Sequence, residues 1–248
     1  PYPLVCKTAT AGYDGKGQWK ILRAEDCLAV QQELARNARP DSRWILEEWL
    51  PFERELSILV VRGADGAAQT YPLVENVHED GILRQTIVPA DVPEAVAGLA
   101  ATMARDAVQA LDGVGVFCVE LFLMADGRLV INEIAPRPHN SGHYTLDACT
   151  VSQFEQQVRT LCGLPLGEVR LLSSAVMLNL IGDDVRLVTL SPAAHDLLRV
   201  PGAILHLYGK RAIRPKRKMG HISFLAPTHA EALATASTFR SRLVPTRP

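Results

Sequence analysis

The chain has 248 residues, 48% of them hydrophobic, and a formal net charge of −1. That is enough apolar material for a sizeable core in one large or two smaller domains. The near-zero charge sets up no field to gather nucleic acid or an anionic membrane surface, no apolar run approaches the roughly 20 residues a bilayer span needs, and nothing resembles a signal peptide.

Five cysteines, Cys6, Cys27, Cys118, Cys149 and Cys162, include no Cys-x-x-Cys pair and mostly sit in apolar runs. They read as buried free thiols in a reducing compartment, the cytoplasm. The chain opens at Pro1-Tyr2-Pro3-Leu4-Val5, already at a strand and without a methionine, which predicts that a piece precedes it.

Residues 4–7 and 19–22 read as a hairpin around Thr8-Ala9-Thr10-Ala11-Gly12-Tyr13-Asp14-Gly15-Lys16-Gly17-Gln18. Its glycines would let backbone amides approach an anion. No Gly-Lys-Ser/Thr follows and no helix opens at Gly17, so it is neither a P-loop nor a dinucleotide fingerprint, and a plain turn explains it equally well. Helical spacing runs over 25–37 through Leu28, Leu34 and Ala38, then 43–49 reads as a strand broken at Pro51.

Residues 55–61 and 68–74 flank Ala64-Asp65-Gly66 as a hairpin. The spacing predicts a helix over 93–111, with Val96, Leu99, Ala100, Met103, Ala107, Ala110 and Leu111 on one face and Pro93 in the first turn. Two strands, 114–124 and 128–134, follow around Ala125-Asp126-Gly127 and bring Glu120 and Glu133 to neighbouring positions. Ser152-Gln153-Phe154-Glu155 and Thr228-His229-Ala230-Glu231 match the capping-box pattern. Strands at 175–181, 203–208 and 219–225, closed by one helix, predict a small β-rich unit from about Glu168.

The chemistry concentrates in Glu133-Ile134-Ala135-Pro136-Arg137-Pro138-His139-Asn140-Ser141-Gly142-His143, where an acid, a guanidinium, two imidazoles and an amide leave the end of a strand. Such loops hold charged ligands on rigid edges. Glu120 lies inside Val116-Phe117-Cys118-Val119-Glu120-Leu121-Phe122-Leu123, where an unpaired charge is costly. Two carboxylates on paired strands favour a hard divalent cation over two solvent-edge glutamates, and magnesium takes one or two carboxylates plus substrate phosphates.

Glu47-Glu48-Trp49-Leu50-Pro51 has the features of a hinge gripping a nucleoside through backbone groups and apolar side chains, although an acidic connection is the simpler account from the residues alone. The cluster from Lys210 to Lys218 holds six cations in nine residues. Without interleaved aromatics it suits a small-molecule phosphate better than nucleic acid, and a solvated hairpin tip is the ordinary alternative. His78, His139 and His143 lack the helical spacing and thiol partners of a zinc site.

In chain order, the stretch from Gly12 to Gln18, Tyr71-Pro72-Leu73-Val74-Glu75-Asn76, Asp80-Gly81-Ile82-Leu83-Arg84, the loop from Asn132 to His143, Ser152-Gln153-Phe154-Glu155 and Arg217-Lys218-Met219-Gly220-His221 closely resemble the 5-(carboxyamino)imidazole ribonucleotide synthases. These are purine-biosynthesis enzymes of the ATP-grasp superfamily, and the resemblance covers nearly the whole chain. Many ATP-grasp enzymes carry an asparagine two residues after the second metal glutamate. Ala135 stands there in this chain, as it does in this narrower family.

The resemblance implies an α+β, ATP-grasp fold: a lid subdomain over 1–62, a central subdomain over 63–167 with the metal carboxylates, and a small β-rich C-terminal subdomain over 168–248. The family's Rossmann-like N-terminal domain is absent from this chain. ATP would lie between two α+β subdomains, with Lys7, Gly12, Tyr13, Asp14, Gly15, Lys16, Gly17 and Gln18 at its phosphates. Glu47, Glu48, Trp49 and Leu50 would meet adenine, Glu55 the ribose, and His78 would lie near the nucleotide.

Glu120 and Glu133 would hold Mg2+, with Asn132 alongside. Asp14, Lys16, Arg137 and His143 would act on the substrate and carboxyphosphate with Asn140, while Lys210 and Arg217 would bind the ribonucleotide's 5′-phosphate. The implied substrates are 5-aminoimidazole ribonucleotide and bicarbonate, and the implied partners are a second copy of the chain and a downstream mutase. A formate-dependent glycinamide ribonucleotide transformylase, or a nucleotide-binding fragment without turnover, is the competing expectation; the segment from Lys210 to His221 argues against the first.

Overall fold

The computed structural model describes residues 2–9, 17–37, 42–190 and 192–241. Gly12, Tyr13, Asp14, Gly15 and Lys16 lie outside them. The backbone divides into two compact units, Pro1–Pro51 with Glu79–Ile82, and Phe52–His78 with Leu83–Pro248.

The first unit holds β1 (Leu4–Thr8), β2 (Gln18–Ile21), α1 (Asp26–Asn37) and β3 (Trp44–Glu48), with the strands in the antiparallel order β2-β1-β3. The expected β1–β2 hairpin forms, and Val5, Cys6 and Ile21 are buried in it. Gly17 closes the loop with φ +75°, and its carbonyl accepts the Thr8 N–H at 2.8 Å. A Cβ there would lie 2.6 Å from Thr8 Oγ1, so this close approach requires glycine. Asp26 anchors the start of α1 by accepting from the N–H groups of Leu22 and Arg23 at 2.9 and 3.1 Å.

The second unit is built on a long sheet. Its elements are β4 (Phe52–Arg62), β5 (Ala68–Thr70), β6 (Val74–Glu79), β7 (Ile82–Val88), α2 (Glu94–Ala110), β8 (Gly115–Met124), β9 (Leu129–Ala135), α3 (Thr145–Ala148), α4 (Gln153–Leu161), β10 (Ser174–Ile181), α5 (Asp184–Thr189), α6 (Pro192–Arg199), β11 (Ala203–Leu207), β12 (Lys218–Ala226) and α7 (His229–Arg240). The strand order is β11-β12-β10-β7-β6-β4-β8-β9, with β5 beside β4. The β6–β7 tip, Glu79–Ile82, counts with the first unit.

Strand alternation divides the labour between the two faces. Leu56, Ile58 and Val60 of β4, with Phe117, Val119 and Leu121 of β8, pack against Ala100, Ala104 and Val108 of α2. Val176, Leu178, Ile222 and Phe224 pack on Ala232, Ala236 and Phe239 of α7. The opposite face carries the polar groups in register. Glu133 faces Glu120 and Glu120 faces Ser57, while on the far strands Asn179 faces His221 and His221 faces His206.

Several expectations are corrected. Residues 68–74 do not form one strand: β5 stops at Thr70, Pro72 intervenes, and Val74 opens β6. β6 and β7 had no sequence assignment. They join through Asp80 and Gly81, both at positive φ (50° and 73°) in a two-residue turn. Arg84, Gln85 and Thr86 interrupt the apolar pattern of β7 although every residue of that strand is buried. In α2, Pro93 is the cap residue rather than part of the first turn, and Leu99 and Leu111 face solvent.

The C-terminal strands do not stand apart, because β10 pairs with β7 and extends the same sheet, with three helices rather than one. The expected boundary at 62/63 falls inside the β4–β5 hairpin, whereas the compact units divide at Pro51.

Candidate active site

The two carboxylates are brought face to face by an irregularity. β8 and β9 pair Leu121 with Ile131 but Glu120 with Glu133, so Asn132 is the extra residue of a β-bulge. In an unbroken strand Glu133 would share a face with Ile131. The bulge turns it to the Glu120 side while Ile131 and Ile134 both stay against the α2 core.

Burial pushes the Glu120 carboxyl up to about 7, and Glu133 opposite it adds to the rise; His78 and Arg137 pull it down and Glu55 pushes it further up. Glu55 and His78 pair directly, so the two residues assigned to ribose and nucleotide meet on neighbouring strands. This crowding of carboxylates, relieved by a proton at Glu120, is a donor set deficient in positive charge, and it fits a hard divalent cation.

Beyond β9 the chain makes a 3-10 turn at Asn140–Gly142, whose residues Ser141 and Gly142 are buried. Gln153, wholly buried, organises this turn: its Oε1 accepts the His139 N–H at 2.8 Å, and its Nε2 meets the His139 carbonyl at 2.8 Å and His143 Nδ1 at 3.0 Å. A Cβ on Gly142 would meet Leu59 Cδ1 at 2.5 Å and Gln153 Oε1 at 2.7 Å, so a larger residue would force those side chains to shift.

His139 Nε2 lies 3.2 Å from Glu120 Oε1. Burial, with Arg137 and Lys218 nearby, pushes His139 down to about 3. The contact at neutral pH is therefore a hydrogen bond from a neutral ring, not an ion pair. His143 is pushed down to about 4 by burial, then by Lys218 and His206. Arg137 is exposed and bonds the Pro138 carbonyl at 3.1 Å. Both Oδ1 and Nδ2 of Asn140 are buried without a hydrogen-bond partner among the described residues. An amide so placed costs free energy until something pairs with it.

Beside His143 lies a second group of rings. His206 Nε2 is 3.0 Å from both carboxylate oxygens of Asp147, and Tyr208 Oη is 2.8 Å from His221 Nδ1. Asp147, His206 and His221 lie close enough to share an ion. However, the two imidazoles stack at 4.5 Å with planes 14° apart, and parallel rings do not aim their lone pairs at one point.

The remaining assignments divide as follows. Lys210 donates to the Lys218 carbonyl at 2.5 Å and lies 5.3 Å over the Tyr208 ring, and Arg217 bonds the Ala212 carbonyl at 2.9 Å. In the first unit, Lys7 forms an ion pair with Glu47 at 2.6 Å, uniting two residues assigned to the nucleotide, and Gln18 is opposite Lys7. The Trp49 ring is covered by Lys20 at 3.9 Å, and the Trp49 N–H donates to the Pro3 carbonyl at 3.0 Å. That amide, one of the hinge groups expected to read a base edge, is thus already engaged. Glu48 is exposed and Leu50 partly buried.

Sequence reasoning assigned no role to Ser57, Asn76, Gln153, Tyr208, His206 or Asp147. A buried polar residue in an apolar strand, such as Ser57 in Leu56-Ser57-Ile58, was the available signal.

The sheet thus displays opposed carboxylates and an Arg-His-Asn loop on one face, with helices behind it, and comparison with known proteins identifies its family. Residues 1–154 match the ATP-grasp domain family, and the chain belongs to that family. Residues 175–235 match the phosphoribosylaminoimidazole carboxylase C-terminal domain.

More particularly, the chain is 48% identical over 223 residues to the N5-carboxyaminoimidazole ribonucleotide synthase of Bacillus subtilis, covering 90% of this chain and 56% of the relative. The crystal structure of an ADP complex of an N5-carboxyaminoimidazole ribonucleotide synthetase matches with a TM-score of 0.86 at 43% identity, over 96% of this chain and 61% of the other. The Aspergillus clavatus enzyme in complex with ADP and 5-aminoimidazole ribonucleotide matches with a TM-score of 0.86 at 37% identity, over 97% and 62%. This chain therefore spans somewhat more than half the length of these relatives. No helix among the described residues is long and apolar enough to cross a membrane.

Proposed function

We propose that this chain carries the ATP-grasp portion of an N5-carboxyaminoimidazole ribonucleotide synthase. The reaction transfers the γ-phosphoryl group of ATP to bicarbonate, giving carboxyphosphate and ADP. The exocyclic amine of 5-aminoimidazole ribonucleotide then attacks the carboxyl carbon, phosphate leaves, and the nitrogen loses a proton to give the N-carboxylated product. The observation that carries the reading is the bulge-enforced opposition of Glu120 and Glu133 beside a loop of Arg137, His139, Asn140 and His143.

Glu120 and Glu133, with Asn132 alongside, are the residues that would hold magnesium, which supplies charge neutralisation between phosphate oxygens. The chain's own groups do the rest. The exposed guanidinium of Arg137 would meet the charge that develops as the phosphoryl group leaves ADP. Neutral His139 bonds Glu120 and neutral His143 can offer a single hydrogen bond, both without adding charge, because burial keeps both unprotonated at neutral pH. The unpartnered amide of Asn140 offers N–H donors and a carbonyl acceptor, which suit the ionised oxygen and the hydroxyl of bicarbonate.

Lys7, Gly17 and Gln18, with Gly12, Tyr13, Asp14, Gly15 and Lys16 of the same motif, are assigned to the nucleotide phosphates. Glu47, Glu48, Trp49, Leu50, Glu55 and His78 are assigned to the nucleoside. Lys7 would exchange its Glu47 partner for a phosphate. Lys210 and Arg217 are assigned to the 5′-phosphate.

The family's dimer finds support in α4, where Phe154, Val158 and Leu161 are 38%, 56% and 75% exposed while Gln153, Gln156 and Thr160 face inward. That is the reverse of a helix whose apolar side is satisfied by its own chain. A carbamate product loses its carboxyl group readily, which favours handover to a mutase. Five free thiols favour a reducing compartment, the cytoplasm.

The test is ADP release from Mg-ATP and bicarbonate, with and without 5-aminoimidazole ribonucleotide, by this chain alone and in a chimaera carrying the rest of the Bacillus subtilis relative. Stimulation by the ribonucleotide is expected. Stimulation by glycinamide ribonucleotide with formate instead would overturn the assignment.

A further inference from the structure

We infer that Thr86, Asn76, Ser57 and Ser141 form a one-way hydrogen-bond chain that decides which ring nitrogen of His139 carries the proton, and so holds the Glu120 carboxylate in its ligating orientation. The consequence for magnesium rests on the function proposed above; the direction of the chain does not.

The direction is set at the histidine, by a group that can act in only one sense. The backbone N–H of Ser141 points at His139 Nδ1 at 3.4 Å, and a backbone amide only donates, so Nδ1 is an acceptor. At the far end, Thr86 Oγ1 donates to Asn76 Oδ1 at 3.1 Å, which leaves Asn76 Nδ2 to donate to Ser57 Oγ at 2.8 Å. Ser57 then gives its own proton to Ser141 Oγ at 2.8 Å, and Ser141 passes the same polarity to His139 Nδ1 at 2.9 Å. A neutral imidazole that accepts at Nδ1 bears its proton on Nε2, the atom 3.2 Å from Glu120 Oε1.

The donors of these four bonds thus run from Thr86 toward the carboxylate, with the buried Cys118 thiol 3.6 Å from Ser141 Oγ as a side contact. Thr86, Asn76, Ser57 and Ser141 are respectively 0%, 6%, 1% and 1% exposed, so water does not compete for these bonds. Their place in the fold is equally specific. Ser57 is directly opposite Glu120 across β4 and β8, and Asn76 shares its face on β6. The other tautomer would leave the Ser141 N–H facing another N–H. Held at Oε1 by His139, Glu120 would have its other oxygen available to a cation. These four residues are positioning residues: they touch no substrate and act through His139.

The experiment compares wild type with Ser57→Ala, which cuts the chain in its middle, and Ser57→Thr, which keeps the hydroxyl. Thr86→Val, isosteric and one link further out, serves if Ser57→Ala does not fold. The first readout is the 15N spectrum of the His139 ring in the nucleotide-free protein, assigned with His139→Asn. Wild type and Ser57→Thr are expected to show only the Nε2–H tautomer, and the chain-cutting variants a mixture.

The second readout is magnesium half-saturation of ADP formation, expected to rise by about 10- to 100-fold on cutting the chain, as loss of a partner behind a ligand typically does, and to recover in Ser57→Thr. An Nδ1–H tautomer in wild type overturns the inference. So does a chain-cutting variant in which tautomer and magnesium half-saturation both stay as in wild type. A wild-type protein with the expected tautomer but no turnover, in this chain or the chimaera, overturns the proposed function and leaves the direction of the chain standing.

Discussion

Replacing Glu120 by glutamine is expected to stabilise the magnesium-free protein above pH 7 and to leave its stability unchanged near pH 4. Burial and the facing Glu133 raise the Glu120 carboxyl from an ordinary 4.5 to about 7. Between these values the folded state holds a proton that the unfolded chain has released, so stability falls as pH rises through the window. The penalty is absent below 4.5 and complete above 7. At about 1.4 kcal/mol per unit it amounts to about 3 kcal/mol. Glutamine cannot ionise, yet its side-chain oxygen still accepts the His139 Nε2–H, so the substitution removes the penalty and keeps the bond.

The assay is urea unfolding in EDTA at pH 5, 6, 7 and 8, with the midpoint compared at unchanged slope. The variant should gain steadily on wild type across the series, and magnesium with nucleotide should shift the balance back by stabilising wild type alone. A variant less stable than wild type at pH 8, or a difference independent of pH, would refute the reasoning.

Three further outcomes follow from the same geometry. Gly142→Ala is expected to lose about 1–3 kcal/mol in urea unfolding, because its Cβ would collide with Leu59 and with the Gln153 amide that ties His139 to His143; unchanged stability would contradict this. Arg217→Ala should raise the KM for the ribonucleotide while leaving that for ATP as it was, and an unchanged ribonucleotide KM would return the cluster to a solvated connection. In the native protein a thiol reagent should label exposed Cys162 and spare Cys118, which is buried and pushed up to about 12 by that burial; rapid loss of both thiols would contradict the packing of β8.

What the sequence revealed was local. The β8–β9 hairpin announced itself through Ala125-Asp126-Gly127, and Glu120 through the cost of a charge in an apolar run. The bulge at Asn132 was hidden, because strict alternation gives no sign of an extra residue and places Glu133 on the wrong face. The polar chain behind His139 was equally hidden, since Ser57 and Ser141 are 84 positions apart and each looks ordinary without the other.

β7 went unread because its buried Arg84, Gln85 and Thr86 mimic a solvent face. Arg84 is in fact paired with buried Asp184 at 2.6 Å, from a helix that also went unread. The C-terminal strands were recognised as strands, but their addition to the central sheet through β7 and β10 is a long-range pairing that no local pattern encodes.

The most direct measurement is the fate of a labelled carbon. With 13C-bicarbonate, Mg-ATP and 5-aminoimidazole ribonucleotide, the account predicts that label appears on the exocyclic nitrogen of the ribonucleotide, one equivalent for each ADP formed, and that Glu133→Gln abolishes both together. ADP formed without label on the ribonucleotide, or label transfer that survives in Glu133→Gln, would contradict it.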